Sequence, residues 1–205
     1  MLFLLRPWDS VKRNKVFVRF CFVDPYVIGA FINDCSLRWR AVEGFEDAVG
    51  FLKGLEPRVV VEGGFVTLRS GCEELSSLRE RPLRALLMFT IVDWVRLLRG
   101  LYDFNGDLFD PEPRLDAPNL VLMIRVPSIR FGQVIRVVLK FLGVSSDVFR
   151  SENGIFVVIH EGNSLARFIK TVRPHVDPSL SIALRDKWLR HYGGVGNPIV
   201  LTQSV

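Results

Sequence analysis

The stretch Leu98-Arg99-Gly100-Leu101-Tyr102-Asp103-Phe104-Asn105-Gly106-Asp107-Leu108 reads as the polar, acidic tip of an apolar helix. A second version lies earlier in the chain, as Tyr26-Val27-Ile28-Gly29-Ala30-Phe31-Ile32-Asn33-Asp34-Cys35-Ser36-Leu37, with Gly29 falling 71 residues before Gly100. An internal repeat implies two similar halves that meet at these helices. Both glycines fall in mid-helix, where glycine costs about 1 kcal/mol relative to alanine. Close packing of two helix backbones gives that cost a reason, so Gly29 and Gly100 are the candidate helix-interface residues.

Around the second copy the pattern reads cleanly. Pro82 suits a first helical turn and opens an apolar helix to about Phe104, stopped by Asn105-Gly106. Strands are expected near 108–115 and over Leu120–Val126, the first confined to an edge or bulge by Pro111 and Pro113. Ser128 caps a helix over Ile129–Leu142. Glu152-Asn153-Gly154 joins strands Val148–Arg150 and Ile155–His160. Asn163 or Ser164 caps a helix to Val172. The order is helix, strand, strand, helix, strand, strand, helix.

The first half repeats this order with one piece short. A helix over 26–34 leads to a strand over Ser36–Val42, a helix over Phe45–Leu55, strands Arg58–Glu62 and Phe65–Arg69 joined by Gly63-Gly64, and a helix near Glu73–Leu78. Only one strand fits between its first two helices. Either that hairpin is shortened or Val16–Val23 takes the empty place.

The motif resembles that of the LAGLIDADG homing endonucleases, Leu-Ala-Gly, two apolar residues, then Asp-X-Asp-Gly. The second copy matches from Arg99 to Asp107; the first matches through Tyr26, Gly29, Phe31, Asp34 and Ser36. The resemblance implies an α+β fold of two pseudo-symmetric αββαββα units packed through their signature helices, with the sheets forming a saddle. The units would be residues 1–81 and 82–178, followed by a basic helix and tail over 179–205. It further implies a monomer that binds double-stranded DNA and cleaves it with Mg2+. The metal-binding, catalytic acid of the signature falls on Asp34 in the first half and on Asn105 in the second. Asn lends a neutral oxygen but no charge, a weaker ligand for a hard cation. The earlier signature acid is present as Asp103 and becomes Ile32 in the first copy. A basic residue late in each unit is a further family feature; Arg79, Arg81 and Arg84 are candidates in the first half, and 174–184 holds none.

Composition is compatible with this. Of 27 basic residues against 22 acids, 21 are Arg, giving a net charge of +5 and a pI near 9.4; the planar guanidinium suits phosphate. Arg38, Trp39 and Arg40 in the first half and Arg114, Arg125 and Arg150 in the second lie on expected strands that could enter a major groove. Cys21, Cys35 and Cys72 are odd in number and widely spaced, so neither a disulfide framework nor a zinc site is expected, and an intracellular, cytoplasmic setting follows. The run Ala85–Leu98 is broken by Asp93 and Arg96 and falls short of the roughly 20 residues that span a bilayer. Abundant Arg and Val with few Gln point to a heat-adapted source, a thermophile. Beside the nuclease stand two alternatives: an uncutting DNA-binding regulator or RNA-splicing helper of maturase type that takes structured RNA, and an interaction protein with no nucleic-acid partner.

Overall fold

The computed structural model describes residues 24–41, 44–83, 89–109, 120–160 and 162–176. The first half contains α1 (Pro25–Phe31), β1 (Ser36–Arg38), α2 (Phe45–Leu55), β2 (Val59–Glu62), β3 (Phe65–Leu68) and α3 (Cys72–Glu80). The second contains α4 (Ile91–Asn105), β4 (Gly106–Phe109), β5 (Val121–Val126), α5 (Ile129–Phe141), β6 (Asp147–Ser151), β7 (Gly154–Ile159) and α6 (Gly162–Val172). The strands form two antiparallel sheets, in the orders β1-β3-β2 and β4-β5-β7-β6. Strand Val16–Val23, Arg84, Arg114 and the expected C-terminal helix lie outside the described residues.

Several boundaries follow from local chemistry. Helix α4 starts at Ile91 and not at Pro82, because Thr90 and Asp93 form a reciprocal capping box: the Asp93 carboxylate accepts from Thr90 N at 2.9 Å and Thr90 Oγ1 accepts from Asp93 N at 3.3 Å. Ser128 caps α5 as expected, its Oγ accepting from Phe131 N at 3.1 Å. Ser164 falls inside α6, and its hydroxyl instead accepts from Ser145 N at 3.0 Å. The β2–β3 turn needs two left-handed residues, and Gly63 and Gly64, at φ 60° and 79°, supply them.

The second half has the αββαββα order. The first does not: among the described residues its order is αβαββα, and β1 pairs directly with β3. Setting Leu68 beside Ile159, the last residues of β3 and β7, brings Phe65 onto Phe156 and its partner Arg38 onto Arg125. Strand β1 therefore stands where β5 stands. Both are antiparallel to the neighbour, so among the described residues it is the counterpart of β4 that has no strand in the first half. No strand stands between β1 and β3, and Val16–Val23, the other candidate for the place of β4, lies outside the described residues.

Burial follows this layering. Leu37, Val66 and Leu68 in one sheet and Leu122, Ile124, Val157 and Ile159 in the other turn inward with the helices. The alternate positions Ser36, Arg38 and Phe65, and Met123, Arg125 and Phe156, turn to the open face. The core is continuous across the halves, with Ile28 and Phe31 of α1 and Leu98 and Leu101 of α4 fully buried at its centre.

Candidate nucleic-acid interface at the paired helix ends

Helices α1 and α4 lie side by side and parallel. A Cβ on Gly29 would overlap the Leu97 carbonyl oxygen and stand 2.7 Å from Leu101 N, while one on Gly100 would overlap the Tyr26 carbonyl oxygen. Leu97 and Tyr26 are themselves 71 residues apart, the spacing of the two glycines. Each glycine thus meets the counterpart of what the other meets, as a pseudo-twofold axis demands.

Polar ties run the length of the pair. At its base the Asp24 carboxylate caps α1 through Tyr26 N at 2.9 Å and pairs with Arg96 of α4. Midway, the Tyr26 hydroxyl donates to Asp103 Oδ2 at 2.8 Å. The other Asp103 oxygen accepts from His175 N at 2.9 Å and Val176 N at 3.1 Å, fastening the segment after α6 to the axis. Asp103 is wholly buried, and this desolvation lifts its carboxyl to about 6 despite the donors around it. Burial and the adjacent carboxylate also push the Tyr26 phenol far up, and burial holds the His175 imidazole below its usual range.

The ends of the helices carry the signature polar residues. Asp34 is exposed, and its Oδ1 accepts from Ser36 N at 3.1 Å. Asn105 is half-buried and donates through Nδ2 to the Ala30 carbonyl at 3.0 Å and the Gly29 carbonyl at 3.4 Å. These are carbonyls that the short helix α1 leaves free. Arg79 closes the remainder, donating to Ile32 O at 2.5 Å and Phe31 O at 3.2 Å. Of the described basic candidates late in the first unit, Arg79 is thus brought to the signature helix end, and Arg81 is exposed.

The candidate arginines separate. Arg38 and Arg125 are exposed on the open faces, and Asn33 Nδ2 donates to the Arg125 carbonyl at 2.8 Å, seating β5 against the end of α1. Arg40 is half-buried and donates to Gly106 O at 2.8 Å, with Asp107 at 4.0 Å, so it spans the seam between the halves. Trp39 is 37% exposed and meets the Phe45 ring edge-on at 5.3 Å. Arg150, the other described arginine candidate of the second half, pairs with Ile155, on the face of buried Val157, and its neighbour Val148 lies against Gly132 of α5. Arg150 is exposed at the sheet edge, on the side opposite to Arg125.

The cysteines give a correction. The fold brings Cys35, just after Asp34, to Cys72 at the start of α3, with a Cα separation of 6.1 Å and the two sulfurs bonded. Sequence spacing gave no hint of this pairing across 37 residues. Among the described residues, no group of three or more His, Cys, Asp or Glu side chains is placed to hold a metal ion, and no helix is long and apolar enough to cross a membrane.

The arrangement of these parts matches known structures. The N-terminal LAGLIDADG domain of DUF199/WhiA superposes over 90% of this chain and 99% of that domain, at a TM-score of 0.52 and 17% identity. The chain has the LAGLIDADG fold. Full-length DUF199/WhiA from Thermatoga maritima matches over 93% of this chain and 64% of its own length, at a TM-score of 0.50 and 16% identity. I-DmoI in complex with DNA and Mn is similar over 78% of this chain and 98% of that one, at a TM-score of 0.46 and 14% identity. No family model and no curated protein matches the sequence. The LAGLIDADG-like helices are thus α1 and α4, and the sheets they support carry Arg38 and Arg125 on their outer faces.

Proposed function

We propose that this protein binds double-stranded DNA across the open faces of its two sheets, as a monomer in which one chain supplies both LAGLIDADG-like helices. The observation that carries this reading is the equivalence of Arg38 and Arg125, each facing outward from the strand that holds the same place in its sheet, β1 beside β3 and β5 beside β7. Two guanidinium groups so related suit the repeated phosphates and guanine edges of a duplex. The chain's net charge of +5 adds a favourable long-range field.

Cleavage is the second reading, favoured by the exposed Asp34 carboxylate at the helix ends. Mg2+ prefers an octahedron of oxygens with one or two carboxylates. Asp34 would supply one carboxylate, but Asn105 is neutral and spends its amide nitrogen on α1. Asp107, the nearest substitute in sequence, lies 4.0 Å from the Arg40 guanidinium. The donor set fits Mg2+ poorly, so we favour a protein that binds without efficient cutting.

The test is fluorescence anisotropy with a labelled random-sequence duplex, together with incubation of supercoiled plasmid and Mg2+ or Mn2+. Binding that weakens steeply between about 50 and 200 mM salt, with plasmid left intact, is expected. Lack of duplex binding at low salt would overturn the proposal, and linear plasmid would restore the nuclease reading.

A further inference from the structure

One row of the larger sheet sets beside Arg125 two phenyl rings that duplex binding does not need. Across three adjacent strands, Arg125 of β5 stands opposite Phe156 of β7, which stands opposite Phe149 of β6. All three point away from the helices, and Phe149 is 55% exposed. Among the described residues, neither phenyl ring stacks on another aromatic ring of the protein. Arg125 and Phe156 flank the bare backbone of Gly154: a Cβ there would stand 3.3 Å from Arg125 Nε and 3.8 Å from the Phe156 ring. The row starts at the seam, where Asn33 holds the Arg125 backbone, and runs outward to the edge strand. The smaller sheet has a reduced version in Arg38 and Phe65, the latter 45% exposed.

We infer that Arg125, Phe156 and Phe149 form a stacking platform for unpaired bases of a single-stranded nucleic-acid segment. This rests on the reading that the open sheet face is the nucleic-acid face. Paired bases in a duplex are stacked on one another and offer only their edges, so a flat phenyl ring gains little there. An unpaired base offers its whole face, and ring stacking is indifferent to its sequence. Arg125 brings positive charge to one end of the row, where it can meet a phosphate or lie on a base. The neighbouring rung, Asp107, Met123, Val158 and Asp147, holds no basic residue, and its two carboxylates lie near Arg40 and Arg136, which leaves the Arg125 row as the favoured track for phosphate.

The experiment titrates the full chain with fluorescein-labelled single-stranded RNA and DNA 12-mers of mixed sequence and, separately, with a duplex of the same length. Wild type binds the single strands. The pair F149A/F156A weakens that binding roughly 10-fold or more, as loss of one or two stacked bases predicts, and leaves duplex affinity within about twofold. The pair F149Y/F156Y keeps the rings and retains single-strand affinity. Should F149A/F156A fail to fold by circular dichroism, F149A alone decides the question, since its ring is the more exposed; a fivefold loss is then expected. The inference is overturned if wild type does not bind either single strand, or if the alanine variants weaken single-strand and duplex binding equally or not at all. Single-strand binding without duplex binding sinks the double-stranded DNA reading and leaves the platform standing.

Discussion

The side-chain amide of Asn105 donates to the Ala30 carbonyl at 3.0 Å, so the residue standing at the signature's last acidic position works as a clamp between helices. Replacing it tests that role. N105A removes the donor and is expected to cost about 1 kcal/mol. N105D should cost more, about 2–3 kcal/mol, because it turns a carboxylate toward two carbonyl oxygens. Urea denaturation of both variants checks the order; an N105D protein as stable as wild type contradicts the clamp.

Gly29 and Gly100 are predicted to be intolerant of alanine despite its better helix propensity. Each Cβ would fall on backbone that cannot turn aside, so G29A or G100A should lose about 3 kcal/mol or fail to fold. G50A and G54A are the controls. Both glycines lie on the exposed side of α2 with no atom within 4 Å of an added Cβ, and each substitution should stabilise by up to about 1 kcal/mol. Thermal unfolding of the four variants separates close packing from propensity.

Asp103 predicts a pH dependence. Its carboxyl is raised by burial from 3.8 in the unfolded chain to about 6 in the fold, so the folded state holds the proton more tightly. The resulting stabilisation is fully present below the unfolded value and is lost as pH rises through about 6. Its size is on the order of 3 kcal/mol. D103N preserves an acceptor for His175 N and Val176 N while removing the charge. Its stability should lack this contribution between pH 4 and 7 and at pH 7 should equal or exceed that of wild type. Urea midpoints across that range, wild type against D103N, provide the measurement.

The Cys35–Cys72 bond closes a segment of 37 residues, for which chain entropy gives about 3–4 kcal/mol. C72S, or wild type with a reductant, should unfold at lower temperature. Intact mass should rise by two hydrogens on reduction. No mass change contradicts the pairing.

The helix pair was legible in the sequence because Gly29 and Gly100 are costly within helices and sit in copies of one polar-tipped motif. The β2–β3 turn was legible in Gly63-Gly64 and the α5 cap in Ser128. Other features depend on pairing that no single segment encodes. The place of β1 in its sheet, that of β5 and not of β4, is fixed by its register with β3. Arg150 lies on the other side of the sheet from Arg125 because the turn pairs Ser151 with Gly154 and so sets it opposite Ile155. Cys35 and Cys72 meet only once α3 folds back beside α1. Asn105 was read as a weak ligand from its neutral oxygen, whereas its nitrogen makes the contacts. Tyr26 and Asp103 each stood in a motif, but nothing local shows that they touch.

The double variant R38A/R125A tests the central claim most directly. Each outward arginine that neutralises a phosphate contributes about one unit to the salt dependence of duplex binding. Anisotropy titrations of wild type and variant against the same duplex, over a series of salt concentrations, should show a log–log slope shallower by about 2 for the variant. An unchanged slope and affinity would contradict DNA binding across these two sheet faces.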